Sequence, residues 1–152
     1  MTVRDRDRGA KRLIKNLEKG SHGEISIGIH GTEASFPRKD GGLTIGELAE
    51  IHEFGLGHVP PRSWLGAWFD QYETEFPQVI RIQLSEKLKA RQPLEEAFKT
   101  CAVVFQASIQ QRITDGIPPE LSDETIRRKG STTPLIDTGV LRSSVLGKYA
   151  IK

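Results

Sequence analysis

Apolar positions along the chain change their period several times, and each change marks an element. Ala10, Leu13, Ile14 and Leu17 recur at helical spacing among charged residues, so residues 6–19 read as an amphipathic helix closed by Gly20, Ser21 and Gly23. In residues 24–30, Ile25, Ile27 and Ile29 alternate with polar or small neighbours, which predicts a half-buried strand. Residues 31–42 are polar and rich in breakers (Pro37, Asp40, Gly41, Gly42), which predicts an exposed loop. Thr44 followed three residues later by Glu47 forms a capping box for a short helix. Ile45, Leu48, Ile51 and Phe54 share one face of that helix, and Gly55 stops it.

After a corner at 56–61, the helical period returns from Arg62 to about Ala90, carried by Trp64, Leu65, Trp68, Phe69, Tyr72, Val79, Ile80, Ile82 and Leu84. Pro61 is expected at or just before its start, where a missing N–H costs nothing. Pro77 falls inside the span, and an interior proline costs ~3 kcal/mol of helix. The expectation is therefore two helices with a break near Pro77. Residues 94–115 give the cleanest stripe (Leu94, Ala97, Phe98, Cys101, Phe105, Ser108, Ile109, Ile113), closed by Gly116 and Pro118-Pro119. Its small members, Ala97, Cys101 and Ser108, leave room for another helix to approach closely. Ser122 opens a further short helix that ends at Lys129-Gly130, and Asp137 or Thr138 caps a last turn through Val140, Leu141 and Ser144. The tail 145–151 alternates loosely and reads as a strand that can pair with 24–30. The predicted fold class is thus α+β: several helices, the longest at 62–90 and 94–115, packed on a small antiparallel sheet.

Length adds that one domain, residues 1–152, is the simplest organisation, large enough to bury a core. No apolar run of membrane-spanning length is present, and the N-terminus lacks the apolar stretch of a signal peptide. The single cysteine, Cys101, excludes a disulfide framework and fits a reducing compartment. A net charge of +2 argues little, but residues 1–20 hold seven Lys/Arg against three Asp/Glu, a net of +4. Arg4, Arg6, Arg8, Lys11, Arg12 and Lys15 therefore make a basic helix or arm, either solvated or facing DNA or an acidic partner.

Candidate chemistry is sparse. His52-Glu53-Phe54-Gly55-Leu56-Gly57-His58 resembles a zinc helix, but such a helix places its second His four residues after the first. Here the spacing is six, with two glycines between, so His52 and Glu53 are expected instead to cap or brace the helix end. Ser63, Ser143 and Ser144 lack a nucleophile elbow. Cys101 sits on an apolar stripe, where a buried thiol is expected. Asp137-Thr138-Gly139 resembles half of an aspartic-protease pair without the second half. No cofactor-binding loop or metal set is found in the sequence, so no enzyme is expected. Trp64, Trp68, Phe69 and Tyr72 read as core, with part of the stripe available to an oligomer interface.

Two segments about seventy residues apart then stand out. One runs Ile51-His52-Glu53-Phe54-Gly55 into Pro60-Pro61-Arg62-Ser63-Trp64-Leu65, followed by Phe69-Asp70. The other, after Arg128-Lys129-Gly130, is Pro134-Leu135-Ile136-Asp137-Thr138-Gly139-Val140-Leu141-Arg142-Ser143-Ser144. In this order, over roughly residues 43–146, they resemble the tailed-bacteriophage neck and tail-completion proteins, also called minor tail or virion morphogenesis proteins. The resemblance implies a small α+β subunit without a catalytic role. It would form a homo-oligomeric ring, a hexamer, at the neck or the head-proximal end of the tail. Its partners would be other neck, connector and tail-tube proteins, with passive contact to DNA in the channel, no membrane and no cofactor. It would reside in the virion after assembly in the host cytoplasm. Ile51, His52, Glu53, Phe54, Gly55, Pro61, Arg62, Trp64, Leu65, Asp137, Thr138, Gly139 and Leu141 would be scaffold residues. The alternatives are a small metal-dependent hydrolase using His52, Glu53 and His58, and a nucleic-acid-binding module using the basic N-terminus.

Overall fold

A computed structural model of the chain describes residues 10–20, 22–37, 42–130, 132, 135 and 139–151. The order of elements is α1 (Ala10–Gly20), β1 (Gly23–Gly28), α2 (Gly31–Ala34), α3 (Ile45–Phe54), α4 (Gly66–Tyr72), α5 (Phe76–Lys89), α6 (Glu95–Asp115), α7 (Asp123–Lys129), α8 (Val140–Ser144) and β2 (Leu146–Ile151). This is the expected α+β arrangement of helices on a small antiparallel sheet.

The sheet is the pair expected from the alternating patterns. β1 runs antiparallel to β2, with Gly23 opposite Ile151, Ile25 opposite Tyr149 and Gly28 opposite Leu146. A two-stranded ribbon is marginal in water and needs a helix beneath it. That support is α6, which packs on both strands and on α5. Helix α5 packs on α6 as the small residues of the stripe allow, and a strand also approaches it closely. Gly147 of β2 lies so near the Ala102 carbonyl that any Cβ at Gly147 would collide with it. Ala97 and Cys101, earlier in the same helix, are fully buried. Burial also pushes the Cys101 thiol pKa up, as expected of an inert core thiol. Side chains of α6 pin the start of β2: Gln110 Nε2 donates to the Val145 carbonyl at 3.1 Å, and Gln106 Oε1 accepts from Gly147 N at 2.9 Å.

Pro77 explains the gap between α4 and α5. It occupies the first turn of α5, where its missing N–H is harmless, and Glu73, Thr74 and Glu75 form the turn before it. The break therefore lies just N-terminal to the proline rather than as a kink through it. Three expectations change. Residues 62–65 are not helical, so Pro61 precedes α4 by a four-residue corner. The region 31–42 is not loop throughout, because Gly31–Ala34 form α2 and Pro37 bridges to Thr44. Helix α8 has Gly139 at its N-cap, in the left-handed conformation, while Asp137 and Thr138 lie outside the described residues.

The core is one cluster beneath α6. Ile109, Ile113 and Val145 are inaccessible to solvent, with Ile45, Ala49, Trp64, Trp68, Phe105, Leu135 and Leu141 packed around them. An aromatic group joins α4, α5 and α6: Trp68 and Phe105 each lie 4.9 Å from Phe76, centroid to centroid, in tilted geometry. Trp68 Nε1 is satisfied by Ser108 Oγ at 2.9 Å, which gives the third small residue of the α6 stripe its role.

Candidate functional site

The residues of the first motif converge on a single carboxylate. Helix α3 begins with the capping box read from the sequence: Thr44 Oγ1 accepts from Glu47 N, and the Glu47 carboxylate accepts from Thr44 N at 2.8 Å. Donation to that carboxylate from Thr44 N, and from the Thr44 hydroxyl at 2.9 Å, holds the Glu47 pKa below the usual carboxylate value. The helix ends at Gly55, whose φ of 70° is left-handed. Pro61 packs directly on Gly55, so a Cβ there would sit 2.6 Å from Pro61 Cδ. The chain turns between Leu56 and Pro60 and returns alongside its own helix, where Arg62 N donates to the His52 carbonyl at 2.6 Å.

Glu53 closes this corner. Its Oε1 accepts from Ser63 Oγ at 2.6 Å and from Gly66 N at 2.9 Å, while Oε2 accepts from Trp64 N at 2.9 Å and Leu65 N at 3.0 Å. The backbone N–H groups at the start of α4 would otherwise be orphans. A carboxylate there satisfies them and complements the positive end of the helix. The expected bracing role of Glu53 is met, but at the start of the next helix rather than at the end of its own. Ser63 Oγ in turn accepts from Ala67 N at 2.9 Å, so its hydroxyl links the Glu53 carboxylate to the first turn of α4.

Corner residues then lock into the body. Trp64 is 3% exposed and donates from Nε1 to the Ala49 carbonyl at 3.3 Å. Arg62 is 4% exposed; its Nε donates to the Pro119 carbonyl at 2.8 Å and its NH2 group to the Glu120 carbonyl at 3.2 Å. Burial lowers the Arg62 pKa from its ordinary value, yet guanidinium remains cationic at neutral pH. The motif thus ties the start of α4 to the turn after α6, a link that spacing in the sequence does not reveal.

The two motifs meet in space. Helix α8 packs on α3 and on α6, and it places Leu141 in the same core as Ile45 and Ala49. Leu135 is buried with them at a φ of 63°. Ile51, His52 and Leu65 are half-buried, whereas Phe54 (69%) and Leu56 (48%) project into solvent at the tip of the corner. The aromatic stripe divides likewise: Trp64 and Trp68 are core, and Phe69 is half exposed.

His58 is exposed in the turn, and among the described residues no group of three or more His, Cys, Asp or Glu side chains is placed to hold a metal ion. Glu53, the acid that a hydrolase would need, already accepts from four donors. Of the basic residues, Lys11, Arg12 and Lys15 are exposed on α1, and Arg4, Arg6 and Arg8 lie outside the described residues. Among the described residues no helix is long and apolar enough to cross a membrane. Comparison with known protein families, with curated proteins and with solved structures finds no match.

Proposed function

We propose that this chain is a structural virion protein of a tailed bacteriophage, forming a ring at the neck or the head-proximal end of the tail and serving tail completion or head–tail joining. One observation carries the proposal: Glu53 joins the two halves of the first motif, so that its recognisable residues are engaged in holding a corner rather than in chemistry. A motif used this way defines shape. The corner leaves two large apolar side chains outside, Phe54 and Leu56, beside the exposed His58, and exposed apolar side chains of this size suit a contact surface. The motif order over residues 43–146 gives this shape its place in the particle, next to connector and tail-tube proteins.

The decisive test is assembly of particles without this chain. Heads and tails that accumulate unjoined are the expected result, with a labelled copy located at the neck in complemented particles. Normally joined, infectious particles would overturn the proposal.

A further inference from the structure

We propose that helix α1 of one copy docks, by the face carrying Ile14 and Leu17, into an apolar groove of a second copy between β1, α4, α5 and α6. The groove has a volume of about 470 Å³, and Ile25, Ile27, Leu65, Phe69, Phe76 and Ile80 form its sides. It offers almost no polar group to orient a small ligand, whereas ligand pockets of this size carry a few such groups. Apolar side chains from a helix fit it better, in the manner of an amphipathic helix laid in a groove through anchors at i and i+3.

Such a helix is present in the same chain. Ile14 is 53% exposed and Leu17 is 43% exposed, and α1 makes no extended contact with any other element among the described residues. An amphipathic helix of eleven residues with its apolar face in water is not stable on propensity alone and gains by covering that face. Charge favours the same match. Asp70, Glu73 and Glu75 are exposed on α4 and the turn beside Phe69 and Phe76, and Lys11, Arg12 and Lys15 are exposed on α1.

A second copy is favoured over the chain's own groove by the connection. Only Ser21 and His22 separate α1 from Gly23, which itself lines the groove. A two-residue connection leaves little chain with which to lay α1 back over its own groove, a limit that does not apply to a neighbour's groove. Because helix and groove are different surfaces, the contact is head-to-tail, and such contacts close into rings when the rotation per copy permits. The inference rests on the ring reading only in requiring self-association, and it assigns the surfaces.

The test uses the full chain with two exposed positions replaced, Ile14→Cys and Phe69→Cys, under mild oxidation, alongside sedimentation of the unmodified chain. A ladder of reductant-sensitive multimers from the double variant, absent from each single variant, is expected. A second variant, Ile14→Glu with Leu17→Glu, is expected to lose the sedimenting oligomer while losing no more helical circular dichroism than the eleven residues of α1 account for. A disulfide closed within one chain would overturn the inference in favour of the chain's own groove. Oligomers without the cross-link would overturn it and leave the ring reading standing. A chain that stays monomeric throughout and gives no ladder would overturn both.

Discussion

The corner at 51–66 and the α1–groove side of the molecule treat their residues in opposite ways. In the corner, one carboxylate accepts four hydrogen bonds, a glycine admits a proline at contact distance, and an arginine and a tryptophan are almost fully buried. On the other side, Ile14, Leu17 and Phe69 remain in water beside an open apolar groove. The polar groups of the first region are saturated and fix geometry, with Phe54 and Leu56 left exposed at its tip. The second has apolar surface left to bury, which is what association needs. The polar groups that look catalytic and the apolar surface left to bury are therefore separate sets of atoms, although the two regions adjoin at Leu65.

The sharpest way to break this contrast is to remove the centre of the corner. Glu53→Ala strands three backbone N–H groups and the Ser63 hydroxyl, and bonds to a charged acceptor are each worth about 1.5–3 kcal/mol. Because these groups can partly recover water, a loss of about 3 kcal/mol in urea unfolding is expected. A loss below about 1 kcal/mol, the net worth of one ordinary hydrogen bond, would show that the corner does not depend on this carboxylate.

Gly55→Ala comes next. A left-handed alanine costs roughly 1–2 kcal/mol, and the contact with Pro61 adds to it, so about 2 kcal/mol is expected from the same unfolding curves. The effect should largely persist in a Pro61→Ala background, since the backbone N and Cα of residue 61, which the new methyl group would meet at 2.6 and 2.9 Å, remain.

A smaller effect is expected at the start of α3. The Glu47 carboxylate is held below its ordinary pKa by bonds from Thr44. A depressed carboxylate contributes stability above its unfolded pKa and loses it as pH falls through the lower folded value. Thermal melts of the parent and of Glu47→Gln should therefore differ at neutral pH and converge in acid. A constant difference down to the acid limit would contradict the capping role.

Much of this fold was legible in the sequence where interactions are local. The stripe at 94–115, the alternation at 24–30, the capping box at Thr44 and the Gly55 stop each appear at their places because neighbours in sequence decide them. The expected helix at 62–65 fails for the opposite reason: Glu53, about ten residues upstream, takes the N–H groups of residues 64–66. The short helix at Gly31–Ala34 carried no apolar stripe to announce it. Gln106 and Gln110, which fix the start of β2, read only as polar positions on a helix, because their partners lie about forty residues away. For the candidate site, the motif residues were identifiable, but which of them touch was not. Arg62 shows this most clearly, since its carbonyl partners at Pro119 and Glu120 bear no pattern of their own.

The contrast between the two regions is tested most directly by sedimentation velocity on the full chain beside Ile14→Glu with Leu17→Glu, each sample also unfolded in urea. The expected result is an oligomer for the parent and a monomer for the variant. At a concentration low enough for both to be monomeric, unfolding free energies should agree within about 0.5 kcal/mol, as surface substitutions do. Equal oligomers in both, or a variant that loses stability as the corner variants do, would contradict the division between a region that holds shape and a region that makes contacts.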